Sequence, residues 1–408
     1  VYAPALVALG IGCERLAEEG EVAQLVEAAL AEANVAREAV ACVASIALKA
    51  AEPAIHHVAD ALGVPARFFD AARLEQETPR LANPSDLVFR ETGCHGVAEG
   101  AALAVVDATG ELILPKRRSQ RATCALAQSA TLIDPAAVGR ARGSLAIIGI
   151  GPGAAEARTH EVDAAVRQAS DLVGYKLYLD LLGPLAANKA RHGYELGEEE
   201  MRVRIALDLA AEGRDVALIC SGDAGIYAMA TLVFELIDRE GNADWARVEI
   251  TGFPGVSAMQ TAAARIGAPL GHDFCAISLS DLLTPWEAIE QRLQAAAEGD
   301  FVVAFYNPVS QRRRTQLAAA KEILLRHRPA ETPVILGRNL GREGESMTVV
   351  TLHDLKIEEV DMLTLVIVGA SQTRAVARPD GGVWVYTPRG YAKKMDAQKI
   401  DQMKAGKA

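Results

Sequence analysis

Short apolar segments alternate with segments of helical spacing through the first 130 residues. Residues 5–13 form an apolar run that ends in glycines, as a buried strand entering a turn does. Residues 18–34 place apolar side chains on one helical face, namely Val22, Leu25, Val26, Ala29 and Leu30. Further elements are expected as helices at 53–62 and 96–106, strands at 67–69 and 111–115, and a strand or buried helix start at 41–48. The alternation predicts a small α/β domain.

The rest of the chain repeats one plan, which is an apolar strand, a glycine-containing loop and then a helix. The repeats start near residues 144, 215, 248, 301 and 332, and residues 364–371 are expected to form the last strong strand. Helices are expected at 156–169 and from Ile226 onwards, and residues 383–386 are expected to form a short edge strand. Strands that alternate with helices predict α/β layers with a largely parallel sheet.

Residues 131–143 contain Pro135, Gly139 and Gly143 and show little periodicity, so we place a linker there. The predicted organisation is a small domain over 1–130, the linker, a larger α/β domain over 144–386 and a tail over 387–408. The tail holds six basic and two acidic residues, a net charge of +4. This composition favours a solvated tail over a binding arm.

The composition excludes several classes of function. The 408 residues carry a formal net charge of −11, which argues against nucleic acid as the main partner, because phosphate binding needs a basic surface. The six cysteines show no C-x-x-C spacing, so we expect neither a metal site nor a disulfide framework. No apolar run is long enough to span a bilayer, and no signal peptide is visible, so a cytoplasmic protein is expected.

The loop that follows the strand near residue 144 reads Gly149-Ile-Gly-Pro-Gly153. Glycines let a ligand approach the backbone closely, and proline fixes the loop. The dinucleotide pattern would need a glycine where Ala154 stands, and no Gly-Lys-Ser/Thr of a P-loop follows, which disfavours a nicotinamide oxidoreductase. A tight turn without a ligand stays open as an alternative.

The second repeat places Ser221, Gly222 and Asp223 at the carboxyl edge of the predicted sheet, where ligands bind in open α/β sheets. Backbone amides there could hold a carboxylate, and Asp223 could hold an amino group. Asp223 could equally cap the next helix.

The order of the motifs is more specific than any one of them. GIGPG, SGDAGIY, GFPGVSA (252–258), FYNP (305–308) and TLVIVG (364–369) follow one another, and together they resemble the tetrapyrrole methyltransferases over 144–386. The segments at 174–182, 221–230, 277–286 and 306–313 resemble the branch of that family that acts on precorrin-3B. The resemblance implies a two-lobed α/β fold, not of the Rossmann type, with S-adenosylmethionine in the cleft between the lobes, and a homodimer.

The resemblance also implies which residues bind the cofactor. These are Gly151, Pro152, Gly153, Ser221, Gly222, Asp223, Ile226, Tyr227, Ser257, Ala258, Tyr306, Asn307 and Thr364.

The implied chemistry is methylation of precorrin-3B at carbon 17, followed by contraction of the ring to precorrin-4 in cobalamin biosynthesis. Contraction requires a base for the hydroxyl on carbon 20. The candidates are Asp281, which we rank first, His272 and Asp273, although Asp281 could instead cap the following helix. The carboxylates of the substrate require basic side chains that bind them, and the candidates are Arg312, Arg313, Arg338 and Arg342. Each of these arginines could equally be a surface charge.

The first segment resembles, more loosely, the C-terminal domain of the cobalamin biosynthesis protein G family over residues 3–128. The motifs are at 10–14, 44–49 and 91–101. One interpretation of this segment is a functional site, built from Cys13, Ser45, Lys49, Cys94 and His95. We favour the other interpretation, in which the cysteines are buried structural thiols.

Two alternatives to this function stay open. The chain could methylate another precorrin or a cobalt-loaded one, and the N-terminal domain could be a tetrapyrrole-binding module that hands over unstable intermediates. Transient contacts with neighbouring enzymes of the pathway would fit the second alternative.

Overall fold

The computed structural model describes residues 4–106, 108–310 and 313–391. The N-terminal part folds as one five-stranded sheet in the order β3-β2-β1-β5-β4, in which β1, β2 and β3 are parallel and β5 and β4 are antiparallel to their neighbours. Its elements are β1 (Val7–Cys13), α1 (Glu19–Glu32), β2 (Val40–Ile46), α2 (Pro53–Leu62), β3 (Ala66–Phe69), α3 (Ala71–Glu75), α4 (Asp86–Thr92), α5 (Val97–Val105), β4 (Glu111–Arg118) and β5 (Ala122–Gln128).

Helix α5 packs directly on β1 in this first sheet. A Cβ atom on Gly10 would lie 1.9 Å from the carbonyl oxygen of Ala98, so only glycine allows the helix to approach this closely. Every residue of β2 is buried, which resolves the open choice at 41–48 in favour of a strand. The predicted linker contacts the sheet edge, because Arg140 and Phe68 exchange backbone hydrogen bonds of 2.8 and 2.9 Å.

The second sheet is entirely parallel and has the order β10-β6-β9-β7-β8. Strands β10, β6 and β9 are neighbours, so the loops at their carboxyl ends meet at one edge. We call this part lobe 1. Its elements are β6 (Ser144–Gly149), α6 (His160–Gln168), β7 (Asp171–Tyr175), α7 (Lys176–Asp180), β8 (Ala190–Tyr194), α8 (Glu199–Ala211), β9 (Asp215–Cys220), α9 (Ala230–Glu240) and β10 (Glu249–Phe253). Helix α10 (Ala258–Ile266) follows β10 and packs on the strands of the second lobe.

The remaining strands form a sheet of order β12-β13-β16-β14-β15 and a small sheet of order β11-β18-β17. We call this part lobe 2. Its elements are β11 (Gly267–Ala268), β12 (Phe274–Ser278), α11 (Trp286–Glu298), β13 (Val302–Tyr306), α12 (Gln316–Leu325), β14 (Pro333–Arg338), β15 (Ser346–Thr351), β16 (Thr364–Val368), β17 (Arg374–Ala377) and β18 (Val383–Tyr386).

Three predictions of local structure are wrong. The lobe 2 sheet is mostly antiparallel, because only β12 and β13 run parallel. Strand β18 is the central strand of its sheet and not an edge strand. The helix expected from Ile226 begins at Ala230, since Tyr227 has a φ of +51° and interrupts helical geometry.

The α/β architecture expected for the chain is confirmed. Among residues 4–106, 108–310 and 313–391, no helix has the length and apolar content needed to cross a membrane. Within the same described ranges, no three His, Cys, Asp or Glu side chains are grouped so that they could hold a metal ion. Residues 392–408, most of the predicted tail, lie outside the described residues.

Candidate active site

Two of the predicted binding loops are joined by backbone hydrogen bonds at the carboxyl edge of lobe 1. The N–H of Gly151 donates to the carbonyl of Gly222 (3.1 Å), and the N–H of Gly222 donates back to Gly151 (2.7 Å). The two loops therefore form one continuous surface, which Pro152 and Gly153 extend.

Asp223 connects this surface to the third loop. One carboxylate oxygen accepts the N–H of Gly225 (2.8 Å), and the other accepts the N–H of Gly255 (3.1 Å). Helix α9 is capped at Met229, so Asp223 is not its cap, and that alternative is wrong. The carboxylate fixes the relative position of the second and third loops.

Gly222 leaves a gap between these loops. Its φ is +67°, and a Cβ atom built on it would be 3.9 Å from Cα of Ser257 and 4.0 Å from the nitrogen of Ala258. No nearer atom occupies that space. A ligand can therefore reach the backbone at this point, whereas a side chain at position 222 would fill the gap.

Helix α10 forms the next wall and begins at this gap. Ser257 caps it through a capping box with Gln260, and Ala258 is its first residue. The Tyr306 hydroxyl of lobe 2 accepts the N–H of Met259 (3.3 Å), and burial raises the pKa of Tyr306. Because α10 directly follows the third loop of lobe 1, its N-terminus, a favourable place for a carboxylate, faces the cleft between the lobes.

Tyr227 reaches from lobe 1 into lobe 2. Its hydroxyl donates to the carbonyl of Ala276 (2.8 Å), and its ring lies 5.2 Å from the ring of Tyr306. The preceding residue, Ile226, is half-buried, and its N–H donates to the Asp223 carbonyl (3.3 Å). These contacts close one side of the cleft.

The lobe 2 residues predicted at the cofactor come together at one sheet edge. Asn307 follows β13, and its side-chain amide donates to Ser278 at the end of β12 (3.1 Å). Phe305 pairs with Val366, so the same antiparallel register continued by two residues places Thr364 opposite Asn307. The buried Thr364 hydroxyl donates to Asp361 (2.6 Å).

Two of the three candidate bases lie at the wrong end of β12. Asp273 precedes the strand, and its carbonyl accepts the N–H of Val302 at the start of β13. The register of β12 and β13 separates Asp273 from Asn307 by six residues, which is roughly 20 Å at about 3.3 Å per residue, and His272 lies one residue farther away. Both are exposed and face each other across 3.2 Å. We therefore no longer propose His272 and Asp273 as bases, because strand β12 separates both residues from the cleft.

Asp281, the third candidate, follows the other end of β12. One of its carboxylate oxygens accepts from the Gln316 amide (3.0 Å), and the other lies 3.7 Å from the Arg313 guanidinium. Helix α11 is capped at Pro285, so Asp281 is not a helix cap. The carboxylate is partly exposed, and Asp281 follows the end of β12 at which Ser278 contacts Asn307.

The predicted substrate anchors have partners within the chain. Arg313 is buried and donates to the Ser280 hydroxyl (3.0 Å) and the Asn307 carbonyl (3.3 Å), so it braces the loop after β13. Arg342 donates across the cleft to lobe 1. Neither is free to serve as a surface anchor, and Arg312 lies outside the described residues.

Arg338 keeps a half-exposed guanidinium beside Asp361 (2.7 Å). Burial alone would raise the pKa of Asp361, but hydrogen bonds from Thr364 and Arg338 lower it below its usual value. The Asp361 carboxylate therefore stays ionised at neutral pH, and Arg338 lies at the same sheet edge as Thr364.

Sequence reasoning did not select Ser278, Ser280, Gln316, Asp361 or Tyr178, which contact the predicted residues. Ser278 and Ser280 lie within the segment at 277–286 that resembles the precorrin-3B branch, and this resemblance could have identified them as neighbours of the site. Gln316 and Asp361 become neighbours of the site only through the register of lobe 2.

The N-terminal candidates fall into two groups, with Cys13, Ser45 and Lys49 near the ends of β1 and β2, and with Cys94 and His95 between α4 and α5. The Cys94 thiol is buried, which raises its pKa, while the His95 ring lies 2.9 Å from the carboxylate of Glu75. Ser45 is buried and donates to the Ile11 carbonyl (2.6 Å). Burial also raises the pKa of Cys13 to about 11. These positions fit structural roles, and Lys49 lies 3.7 Å from Glu52 in an ion pair.

Comparison with known proteins finds similar proteins for both parts of the chain. The family model of tetrapyrrole (corrin/porphyrin) methylases matches residues 144–356, and that of the cobalamin synthesis G C-terminus matches residues 7–127. A precorrin-3B C(17)-methyltransferase from Sinorhizobium sp is 48% identical over 250 residues, which are 61% of this chain and 98% of that protein.

A probable cobalt-factor III C(17)-methyltransferase from Salmonella typhimurium is 45% identical over 247 residues, which are 60% of this chain and 99% of that protein. The crystal structure of the methyltransferase CobJ has a TM-score of 0.57 and 42% identity, and the match covers 60% of this chain and all of CobJ. The chain therefore belongs to the tetrapyrrole (corrin/porphyrin) methylase family and carries a domain of the cobalamin synthesis G C-terminal family ahead of the methylase domain.

Proposed function

We propose that this chain methylates precorrin-3B at carbon 17, with S-adenosylmethionine as the methyl donor, and contracts the ring to precorrin-4 in cobalamin biosynthesis. The observation that carries the proposal is the meeting of three glycine-containing loops at one edge of lobe 1, opposite Tyr306 and Asn307 of lobe 2. The chain also matches nearly the full length of a precorrin-3B C(17)-methyltransferase.

The residues around the gap at Gly222 fit the proposed cofactor. The N-terminus of α10 offers the Ala258 N–H to a carboxylate, and the Ser221 hydroxyl and the loop carbonyls are acceptors for an amino group. Tyr306, Asn307 and Thr364 would line the adenosine side. S-adenosylmethionine supplies a methyl group on a positively charged sulfur, so the protein's task is to align it with the ring and exclude water.

Asp281 is the proton acceptor that we propose for ring contraction. Its carboxylate would take the proton of the hydroxyl on carbon 20 while that carbon leaves the ring as an attached acetyl group. Arg313 and Gln316 hold the carboxylate from the protein side, so one face stays available to a substrate. Arg338, at the same sheet edge as Thr364, is the anchor that we retain for a substrate carboxylate.

A second candidate substrate is the cobalt-loaded macrocycle, because one of the similar proteins is a probable cobalt-factor III C(17)-methyltransferase. For the N-terminal domain, we propose tetrapyrrole binding and handover without chemistry of its own. We also propose the division into domains at 1–130 and 144–386, a homodimeric assembly, a cytoplasmic location and transient contacts with neighbouring pathway enzymes.

Isothermal titration with S-adenosylhomocysteine, the product form of the cofactor, tests the binding part of this proposal. We expect saturable one-to-one binding, because hydrogen bonds hold the cleft loops of lobe 1 together as one surface. At a ligand concentration of 100 times the Kd, binding should also stabilise the fold by about 2.7 kcal/mol and raise the melting temperature. A folded sample that shows neither heat nor thermal shift would contradict the assigned cofactor.

A further inference from the structure

The turn between β14 and β15 crosses the cleft and contacts lobe 1 through Arg342. The Nε atom of Arg342 donates to the Pro152 carbonyl (3.0 Å), and an Nη atom donates to the Ser221 hydroxyl (2.8 Å). The guanidinium carbon lies 5.7 Å from the centre of the Tyr178 ring. One lobe 2 side chain thus contacts two loops that we propose bind the cofactor.

The backbone of this turn is itself fixed in place. Gly341 has a φ of +68°, and a Cβ atom on it would lie 2.8 Å from the side chain of Pro152, so the turn packs directly on that residue. The Gly341 N–H donates to Glu345 (2.6 Å), and Glu345 forms an ion pair with Arg265 of α10 (2.9 Å). The position of Arg342 is therefore coupled to the helix whose N-terminus forms the next wall of the cleft.

We infer that Arg342 is a positioning residue for the cofactor and not a substrate anchor. It sets the separation of the two lobes and orients the Pro152 carbonyl and the Ser221 hydroxyl, while making no contact with the methyl group that is transferred. Charged donors hold their acceptors more firmly than neutral ones, so a guanidinium with two acceptors suits this task. Lysine has the same charge but lacks the planar fork that reaches both acceptors at once. The inference rests on the proposed function.

Calorimetric titration with S-adenosylhomocysteine of the full chain and three variants tests the inference. We expect Arg342→Ala to raise the Kd about tenfold or more, Arg342→Lys to give an intermediate Kd, and Glu343→Ala to match the unchanged chain. Glu343 is the matched control because it is the next residue in the same turn and is exposed. Ser221→Ala, which removes one acceptor with little change in volume, should raise the Kd by a smaller factor.

Steady-state kinetics separate positioning from a merely structural role. For Arg342→Ala, the KM for S-adenosylmethionine should rise by a larger factor than kcat falls, with partial rescue in Arg342→Lys. The inference about Arg342 is overturned if the Arg342→Ala chain is folded and binds S-adenosylhomocysteine as tightly as the unchanged chain, or more tightly. The assigned cofactor would stand in that case. If the unchanged chain itself does not bind, the assigned cofactor fails and this inference fails with it.

Discussion

Replacing Gly222 with alanine should weaken the binding of S-adenosylhomocysteine by about tenfold to hundredfold, the range expected when one methyl group is forced into a packed contact. The Cβ atom would enter the gap between the second loop and the start of α10, close to the nitrogen of Ala258. The methyl group meets no steric clash within the chain, because no atom lies nearer than 3.9 Å to the added Cβ atom. Isothermal titration measures the change in Kd directly.

Gly241→Ala is the matched control for this substitution. Gly241 follows α9, has a φ of +57°, and would have nothing within 4 Å of an added Cβ atom. Both variants therefore bear the cost of alanine in left-handed geometry, about 1 to 2 kcal/mol, but only one of them fills the gap. Equal Kd values for Gly222→Ala and Gly241→Ala would remove Gly222 from the cofactor site.

Replacing Asp281 with asparagine should reduce overall turnover about 100- to 10,000-fold, the usual contribution of a general base. Asparagine has nearly the same shape, and its side-chain oxygen still accepts the hydrogen bond from Gln316, but it cannot take up a proton. The Kd for S-adenosylhomocysteine should stay unchanged, since Asp281 lies beyond the cofactor loops. Single-turnover assays with product analysis would show whether a methylated but uncontracted ring accumulates.

Glu287→Gln provides the control for the loss of one negative charge. Glu287 is an exposed carboxylate in the first turn of α11, a few residues after Asp281, and it makes no contact with the cleft residues described above. The turnover of the Glu287→Gln variant should match that of the unchanged chain. Full turnover by Asp281→Asn would mean that the carboxylate only braces Arg313 and Gln316.

The loops of lobe 1 could be predicted from sequence because each one directly follows a strand. A strand, a glycine-containing turn and a helix are local features, and parallel strands bring their carboxyl ends to a common edge. The meeting of Gly151, Gly222 and Gly255 required only that β10, β6 and β9 be neighbours. The resemblance to a known family supplied the expectation that these loops bind one cofactor, whereas the strand order comes from the structure.

The residues of lobe 2 were harder to place because their positions depend on register. His272 and Asp281 are nine residues apart, yet a five-residue strand between them sends them to opposite ends of the sheet. The contacts of Arg313 and Arg342 link positions far apart in the chain, and Arg342 reaches Pro152 across 190 residues. Periodicity and local motifs carry no information about such contacts. From the sequence alone, a long, flexible arginine side chain is therefore expected to be a surface charge.

The most direct measurement of the proposed function is incubation of the full chain with precorrin-3B and S-adenosylmethionine labelled with carbon-13 in its methyl group, followed by mass spectrometry and NMR of the product. We expect one labelled methyl group on carbon 17 and a contracted ring that carries an acetyl group. A parallel incubation with cobalt-factor III identifies the preferred substrate. No label transfer to either macrocycle, by a chain that binds S-adenosylhomocysteine, would contradict the proposed reaction while leaving the cofactor site intact.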